Sequence, residues 1–222
     1  KTAYEVVLRD WSSDVCSSGL AELRQVIGSY AAVGVHNILA LRGDINPELE
    51  PCQDFRYASD LISFIRANGD FNIIGACYPE GHRECGSLTE DIHNLKTKVD
   101  AGVNQLITQL FFDNGYFYSF RERAAIAGIN VPIQAGIMPV VNKKQIERMV
   151  SLCGVKLPRK FTAMMERYEN NPIAMRDAGI AYAVDQIVDL LAQGVHGIHL
   201  YTMNNPYIAH KIYAAISSLL AA

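Results

Sequence analysis

Residues 71–112 read FNIIGACYPEGHRECGSLTEDIHNLKTKVDAGVNQLITQLFF, and the order of residue types in this run decides the fold class. An apolar run from Phe71 to Tyr78 leads into Ser87-Leu88-Thr89-Glu90, the pattern of a helix capping box. Leu88, Ile92, Leu95 and Val99 then recur at helical spacing, and a second apolar run extends from Asn104 to Phe112. Strand, helix and strand in that order make a βαβ unit. Its strands are parallel, and covering helices leave both of their faces apolar, as the near-continuous runs require.

The same rhythm continues outward in both directions. His36–Leu41, Val131–Met138 and Gly197–Met203 are further strand candidates, giving five with the two above. Phe55, Ala58, Leu61, Ile62 and Ile65 mark a helix before the central unit. Pro158 and Pro172 bracket an extra helix, and Asn205-Pro206 opens the last one with an N-cap residue followed by Pro at the first helical position.

Repeated βα units predict an α/β fold, but a TIM barrel closes with eight strands over about 250 residues. Five units in 222 residues predict either an open fold or a TIM (β/α)8 barrel N-terminally truncated to about five βα units. The second is favoured by Trp11-Ser12-Ser13-Asp14-Val15-Cys16-Ser17-Ser18-Gly19, which is Ser-rich, aperiodic and similar to adapter-derived sequence. Residues 1–19 are thus expected to be foreign to the barrel, an artefact of cloning or assembly, and residues 20–222 to form the partial barrel domain.

Half the residues are hydrophobic, 19% are charged and the net charge is −3, the balance of a soluble globular domain without a footprint for nucleic acid. Cys16, Cys52, Cys77, Cys85 and Cys153 contain no Cys-x-x-Cys pair, so neither a disulfide framework nor a structural zinc site is expected. No apolar run has the length of a membrane span, and the first twenty residues lack the apolar core of a signal peptide. A cytoplasmic protein that binds neither membrane nor metal is the expectation.

In a βα barrel the reactive groups gather at the C-terminal ends of the strands. After the first counted strand comes Arg42-Gly43-Asp44, where glycine admits close backbone approach and a carboxylate faces the barrel mouth; an ordinary charged turn is the plainer alternative. The next strand ends in Tyr78-Pro79-Glu80-Gly81-His82, an aromatic, a carboxylate and an imidazole on one loop. Asp91, Asn94 and Lys98 share the margin of a helix's apolar stripe, which fits either an exposed flank with an intrahelical ion pair or recognition of an anion and hydroxyls. Gln109 falls late on a strand, where a buried amide needs both a donor and an acceptor from a ligand or from the core. His196 and His199 read as core or loop histidines, their odd separation sending them to opposite strand faces.

Taken together, Ala40-Leu41-Arg42-Gly43-Asp44, Tyr57-Ala58-Ser59-Asp60-Leu61, Tyr78-Pro79-Glu80, the run from Asn94 to Gly102 and the run from Ile107 to Asp113 resemble the methylenetetrahydrofolate reductase family in order and spacing. The resemblance continues through Gly136-Ile137-Met138-Pro139-Val140 and His199-Leu200-Tyr201-Thr202-Met203-Asn204, covering about residues 20 to 220. It implies a cytoplasmic, homo-oligomeric flavoprotein of one-carbon metabolism and methionine biosynthesis. FAD would take hydride from NADH or NADPH and pass it, in a ping-pong cycle, to 5,10-methylenetetrahydrofolate, giving 5-methyltetrahydrofolate. Carried over residue by residue, Arg42, Gly43, Asp44, Tyr57, Ala58, Tyr78, His82, Asp91, Asn94 and Lys98 would contact FAD. Asp44 and Gln109 would be catalytic and bind substrate, with Gln145 a further folate contact. A flavin-free pterin-binding barrel, such as a folate-dependent methyltransferase domain, and a non-catalytic barrel fragment are the competing readings.

The chain departs from the family pattern in three ways. Met149 stands where the family has an aromatic that packs on folate or nicotinamide, filling space without a stacking face. Asn205 stands where the family has an arginine for the substrate's acidic tail. The family's general-acid glutamate on its first strand has no counterpart, Glu80 being only a distant substitute, so the 222-residue chain by itself is expected to be inactive or poorly folded.

Overall fold

The computed structural model describes residues 5–8, 20–42 and 55–220. Helix and strand alternate as the sequence predicts: β1 (Glu5–Leu8), α1 (Leu20–Ala32), β2 (Asn37–Ala40), α2 (Ala58–Asn68), β3 (Asn72–Cys77), α3 (Leu88–Asp100) and β4 (Gln105–Thr108). They are followed by α4 (Asn114–Ile126), β5 (Ile133–Ile137), α5 (Lys143–Cys153), α6 (Arg159–Tyr168), α7 (Pro172–Ala192), β6 (Gly197–Leu200) and α8 (Pro206–Ile216). Strand order in the sheet follows chain order, and β1–β2, β2–β3 and β5–β6 pair in parallel. This is the α/β repeat of a TIM barrel with fewer than eight strands among the described residues.

All five expected strands are present, each shorter than its apolar run. The run expected to reach Phe112 leaves the strand after Thr108, yet Leu110, Phe111 and Phe112 are almost fully buried. An apolar run reports burial, and burial continues where the hydrogen-bond ladder has ended. β1 is an addition. It lies within the stretch expected to be foreign, and its apolar run Val6-Val7-Leu8 is too short to signal a strand, yet it pairs from Glu5↔Asn37 to Leu8↔Ala40.

The chain divides into two compact units, one of residues 1–77, 92–106 and 126–132 and the other of 78–91, 107–125 and 133–222. In the first, Ile38, Ile73, Ile74 and Leu106 are core residues joined by Leu23 and Ile27 of α1 and Leu61, Ile62 and Ile65 of α2. Arg66, in the last turn of α2, donates to the carbonyls of Phe71 and Gly102 and to Asn104 Oδ1. Asn104 in turn receives the Ile73 N–H. Gly102 has φ of +123°, and a Cβ there would meet Arg66 Nε at 2.9 Å, so the turn before β4 requires glycine on both counts.

The second unit is built on Leu110, Phe112, Met138, Val140, Ile146, Phe161, Met165 and Met175. Phe161 stacks tilted on Phe112 with centroids 4.5 Å apart and meets Tyr182 edge-on at 5.0 Å. Helix α7 approaches the β5–α5 connection so closely that a Cβ on Gly179 would lie 1.6 Å from the Val140 carbonyl oxygen. Pro158 and Pro172 flank α6 as expected, Asn171 capping α7 through the Ala174 N–H. Asn205 likewise caps α8, accepting from the Ile208 N–H at 3.4 Å.

The capping box predicted at α3 forms only in part. Ser87 Oγ accepts the Glu90 N–H, but Glu90 reaches one residue further back than expected, to the Gly86 N–H at 2.9 Å. Leu88, placed on the apolar stripe by its spacing, is 43% exposed, because the first turn of a helix overhangs the core its later turns cover.

Candidate functional site

In the first unit the candidate residues sit at the ends of β2 and β3 and on α2 and α3. Arg42 follows β2 and is half-buried, whereas Gly43 and Asp44 lie outside the described residues. Tyr57 precedes α2, is 60% exposed, and donates its backbone N–H to the Asp60 carboxylate; Ala58 begins the helix. Lys98 lays its stem over Gly75, where a Cβ would meet Lys98 Cδ at 3.4 Å, and its ammonium donates to the Ala76 carbonyl at 2.8 Å. The glycine of β3 thus makes room for a cation at the strand's C-terminal end. Asn94 is exposed.

In the second unit the loop after β3 is an organised structure. Tyr78 and His82, separated in sequence by a turn at Pro79-Glu80-Gly81, meet edge to face with ring centroids 4.5 Å apart. Gly81 has φ of +94°, and its N–H donates to the Tyr78 carbonyl. His82 Nδ1 accepts the Glu84 N–H, which places the neutral ring's proton on Nε2. Asp91, 7% exposed, accepts from the Cys85 thiol at 3.6 Å. The thiol is one partner of this buried carboxylate.

Glu80 has a larger role than sequence gives it. Its Oε2 accepts the Lys156 N–H at 3.0 Å, while Oε1 is buried with no hydrogen-bond partner among the described residues. Burial pushes the Glu80 carboxyl above its ordinary range, Asp113 adds to the effect, and the Lys156 N–H and ammonium oppose it. Nothing in the local sequence signals this, since the partner lies 76 residues away.

Gln109 differs from expectation. It follows the last residue of β4 and is half-buried, and its Oε1 accepts the Leu110 N–H at 3.0 Å. The acceptor end that was expected to seek a ligand or core donor is taken by the next backbone amide. Gln145 is the third residue of α5, and its side chain lies outside the described residues. Met149, about one helical turn further along α5, packs against the Phe112–Phe161 core cluster.

Three residues that the motifs included without a role prove to build the strand ends. Thr108, fully buried, accepts the Gly136 N–H on Oγ1 at 2.8 Å and the Tyr201 hydroxyl on its carbonyl at 2.8 Å. A Cβ on Gly136 would lie 2.2 Å from that carbonyl. After β6, Met203 and Asn204 take left-handed φ values of 50° and 59°, a strained turn that delivers Asn205 to its capping position. His199 packs edge-on against Tyr201, and His196 accepts the Ile133 N–H from a loop position, as core and loop histidines do.

Against known families, residues 15–217 match the model described as methylenetetrahydrofolate reductase. The chain belongs to that family. A 5,10-methylenetetrahydrofolate reductase of Pectobacterium carotovorum is 39% identical over 191 residues, covering 86% of this chain and 63% of the relative. One from Escherichia coli is 38% identical over the same length, covering 86% and 64%. Methylenetetrahydrofolate reductase 1 of Schizosaccharomyces pombe is 38% identical over 176 residues, covering 77% and 29%. The chain therefore spans a little under two thirds of the bacterial relatives' length. Among solved structures, a Clostridium thermocellum protein that binds two copies of 5-methyl-5,6,7,8-tetrahydrofolic acid shares the fold, with TM-score 0.58, 16% identity, and coverage of 94% of this chain and 71% of that one. Among the described residues no helix is long and apolar enough to cross a membrane, and no cluster of three His, Cys, Asp or Glu side chains could hold a metal ion.

Proposed function

We propose that this chain carries the cofactor and folate-binding part of a reductase that converts 5,10-methylenetetrahydrofolate to 5-methyltetrahydrofolate with NADH or NADPH as donor. One observation carries the reading above the rest: the family match over residues 15–217 runs through every strand end that bears a candidate residue. A homo-oligomer in the cytoplasm, acting in one-carbon metabolism and methionine biosynthesis, belongs to the same reading.

The residues present suit FAD. The Lys98 ammonium at the end of β3 is the charge a pyrophosphate needs, and the acceptor-only Asp91 carboxylate suits ribose or ribityl hydroxyls. In the second unit the Tyr78–His82 ring pair offers an aromatic surface. Arg42, Gly43, Asp44, Tyr57, Ala58 and Asn94 complete the proposed contacts. Bound flavin would supply a two-electron carrier able to take hydride from a reduced nicotinamide and release it to an electrophilic carbon.

The protein's own part is binding and charge. Asp44 would offset the positive charge of the folate iminium that accepts hydride. With its Oε1 held by Leu110, Gln109 presents its NH2 group as a donor, first to one substrate and then to the other in a ping-pong order. Gln145 would contact folate from α5.

Reconstituting the purified chain with FAD and following flavin absorbance tests this reading. The expected results are a yellow protein and bleaching on addition of NADH or NADPH without air, with little recolouring by methylenetetrahydrofolate in a chain that lacks the family's first-strand glutamate. A protein that stays colourless after FAD is added yet binds folate would replace it with the flavin-free pterin-binding reading.

A further inference from the structure

The loop between β3 and α3 is bound at two points to the C-terminal end of α5 and the turn that follows it, some sixty residues further along the chain. At the first, Glu80 Oε2 accepts the Lys156 N–H at 3.0 Å. At the second, Arg83 Nη1 donates to the Leu152 carbonyl at 2.6 Å. Leu152 is in the last turn of α5, where a carbonyl has no partner within the helix and carries the negative end of its dipole. A guanidinium suits that position on both grounds.

The backbone of the receiving turn is shaped for this contact. Gly154 ends the helix in the left-handed region at φ of +69° with its N–H on the Val150 carbonyl, and the Arg83 stem crosses it, 3.5 Å from where a Cβ would stand. The giving loop is stiff: Gly81 N–H donates to the Tyr78 carbonyl, Cys85 N–H to the His82 carbonyl, and Glu84 N–H to His82 Nδ1. Arg123 of α4 holds the loop from another side through the Pro79 carbonyl. These bonds hold Tyr78 and His82 without help from α5, so losing the Glu80 or Arg83 side chain loosens the helix and leaves the loop in place.

We infer that Glu80 and Arg83 form a latch by which the loop carrying Tyr78 and His82 fixes the position of the helix carrying Gln145 and Met149. On the proposed reductase reading, on which this inference rests, the latch sets where folate is held relative to the cofactor. Both are positioning residues, acting on the substrate through α5. Neither sequence motif nor spacing joins the two segments; the contacts alone do.

The test uses the full chain with FAD added, in wild-type form and as Glu80→Ala, Glu80→Gln and Arg83→Ala. Hydrogen exchange across Ile146–Lys156 should quicken by about tenfold in the two alanine variants, while exchange across α4 holds. Glu80→Gln, which keeps an acceptor for the Lys156 N–H, should restore the wild-type rate. Titration with 5-methyltetrahydrofolate should give a Kd raised about fivefold in the alanine variants, with FAD affinity unchanged and Glu80→Gln again rescuing.

Unchanged exchange in both alanine variants would overturn the latch. Faster exchange with unchanged folate affinity would overturn its positioning role. If wild type binds no folate, the reductase reading and that role fall together, and the exchange arm still decides whether the latch exists. Arg83, being exposed, keeps the test alive should Glu80→Ala fail to fold.

Discussion

Strands β5 and β6 lie side by side in register from Gln134↔Gly197 to Ile137↔Leu200, and both are short apolar runs containing a glycine. Their surroundings differ. In β5, Ile133, Ala135 and Ile137 are buried and Gly136 is pressed against the Thr108 carbonyl; in β6 all four residues are half-exposed and Gly197 has the flexible Gln134 side chain as its nearest neighbour. β5 has a strand on each side in the sheet order, and β6 is the last strand described. An apolar run therefore identifies a strand without identifying how much of it the fold covers.

The largest expected effect that could break this comparison is a cavity. Ile137→Ala should cost about 2–5 kcal/mol in urea unfolding, and Leu200→Ala, half-exposed beside it, less than about 2 kcal/mol. Equal losses would show that β6 is as well packed as β5. Overpacking comes next: Gly136→Ala should destabilise by about 3 kcal/mol because a backbone oxygen cannot move aside, whereas Gly197→Ala should fall within about 1 kcal/mol of wild type.

Tyr201→Phe removes the hydroxyl that joins the end of β6 to the Thr108 carbonyl, and should lower stability by about 1 kcal/mol. A loss indistinguishable from zero would mean that this bond does not tie the two strand ends together. The smallest effect is a pH dependence. Because burial raises the Glu80 carboxyl above its ordinary 4.5, the folded protein binds that proton more tightly than the unfolded chain. Its contribution to stability is complete below about pH 4.5 and is lost as pH rises through the folded value. Thermal unfolding should thus find Glu80→Gln gaining on wild type as pH rises through that window; a constant difference would contradict the shift.

Much of the fold was legible because its signals are local. The βα alternation, the Asn205 cap and the prolines around α6 depend on residues within a turn or two of one another. The candidate site was legible in identity more than in arrangement. Tyr78 and His82 were expected on one loop and do meet, but Gln109 lies just past the end of β4 with its acceptor on the Leu110 N–H. Asp44 and Gly43 are outside the described residues.

By itself, then, the sequence determined the class of fold, the places of β2 to β6 and of the helices between them, and the family to which the chain belongs. Those follow from periodicity, capping chemistry and motif order, which short stretches of chain contain in full. Only the tertiary structure decided that β1 joins the sheet, that β6 stays half-exposed, and that Glu80 and Arg83 hold α5. Each depends on which distant segment arrives as a neighbour, and a carboxylate or a carbonyl takes whatever partner packing brings within hydrogen-bond reach.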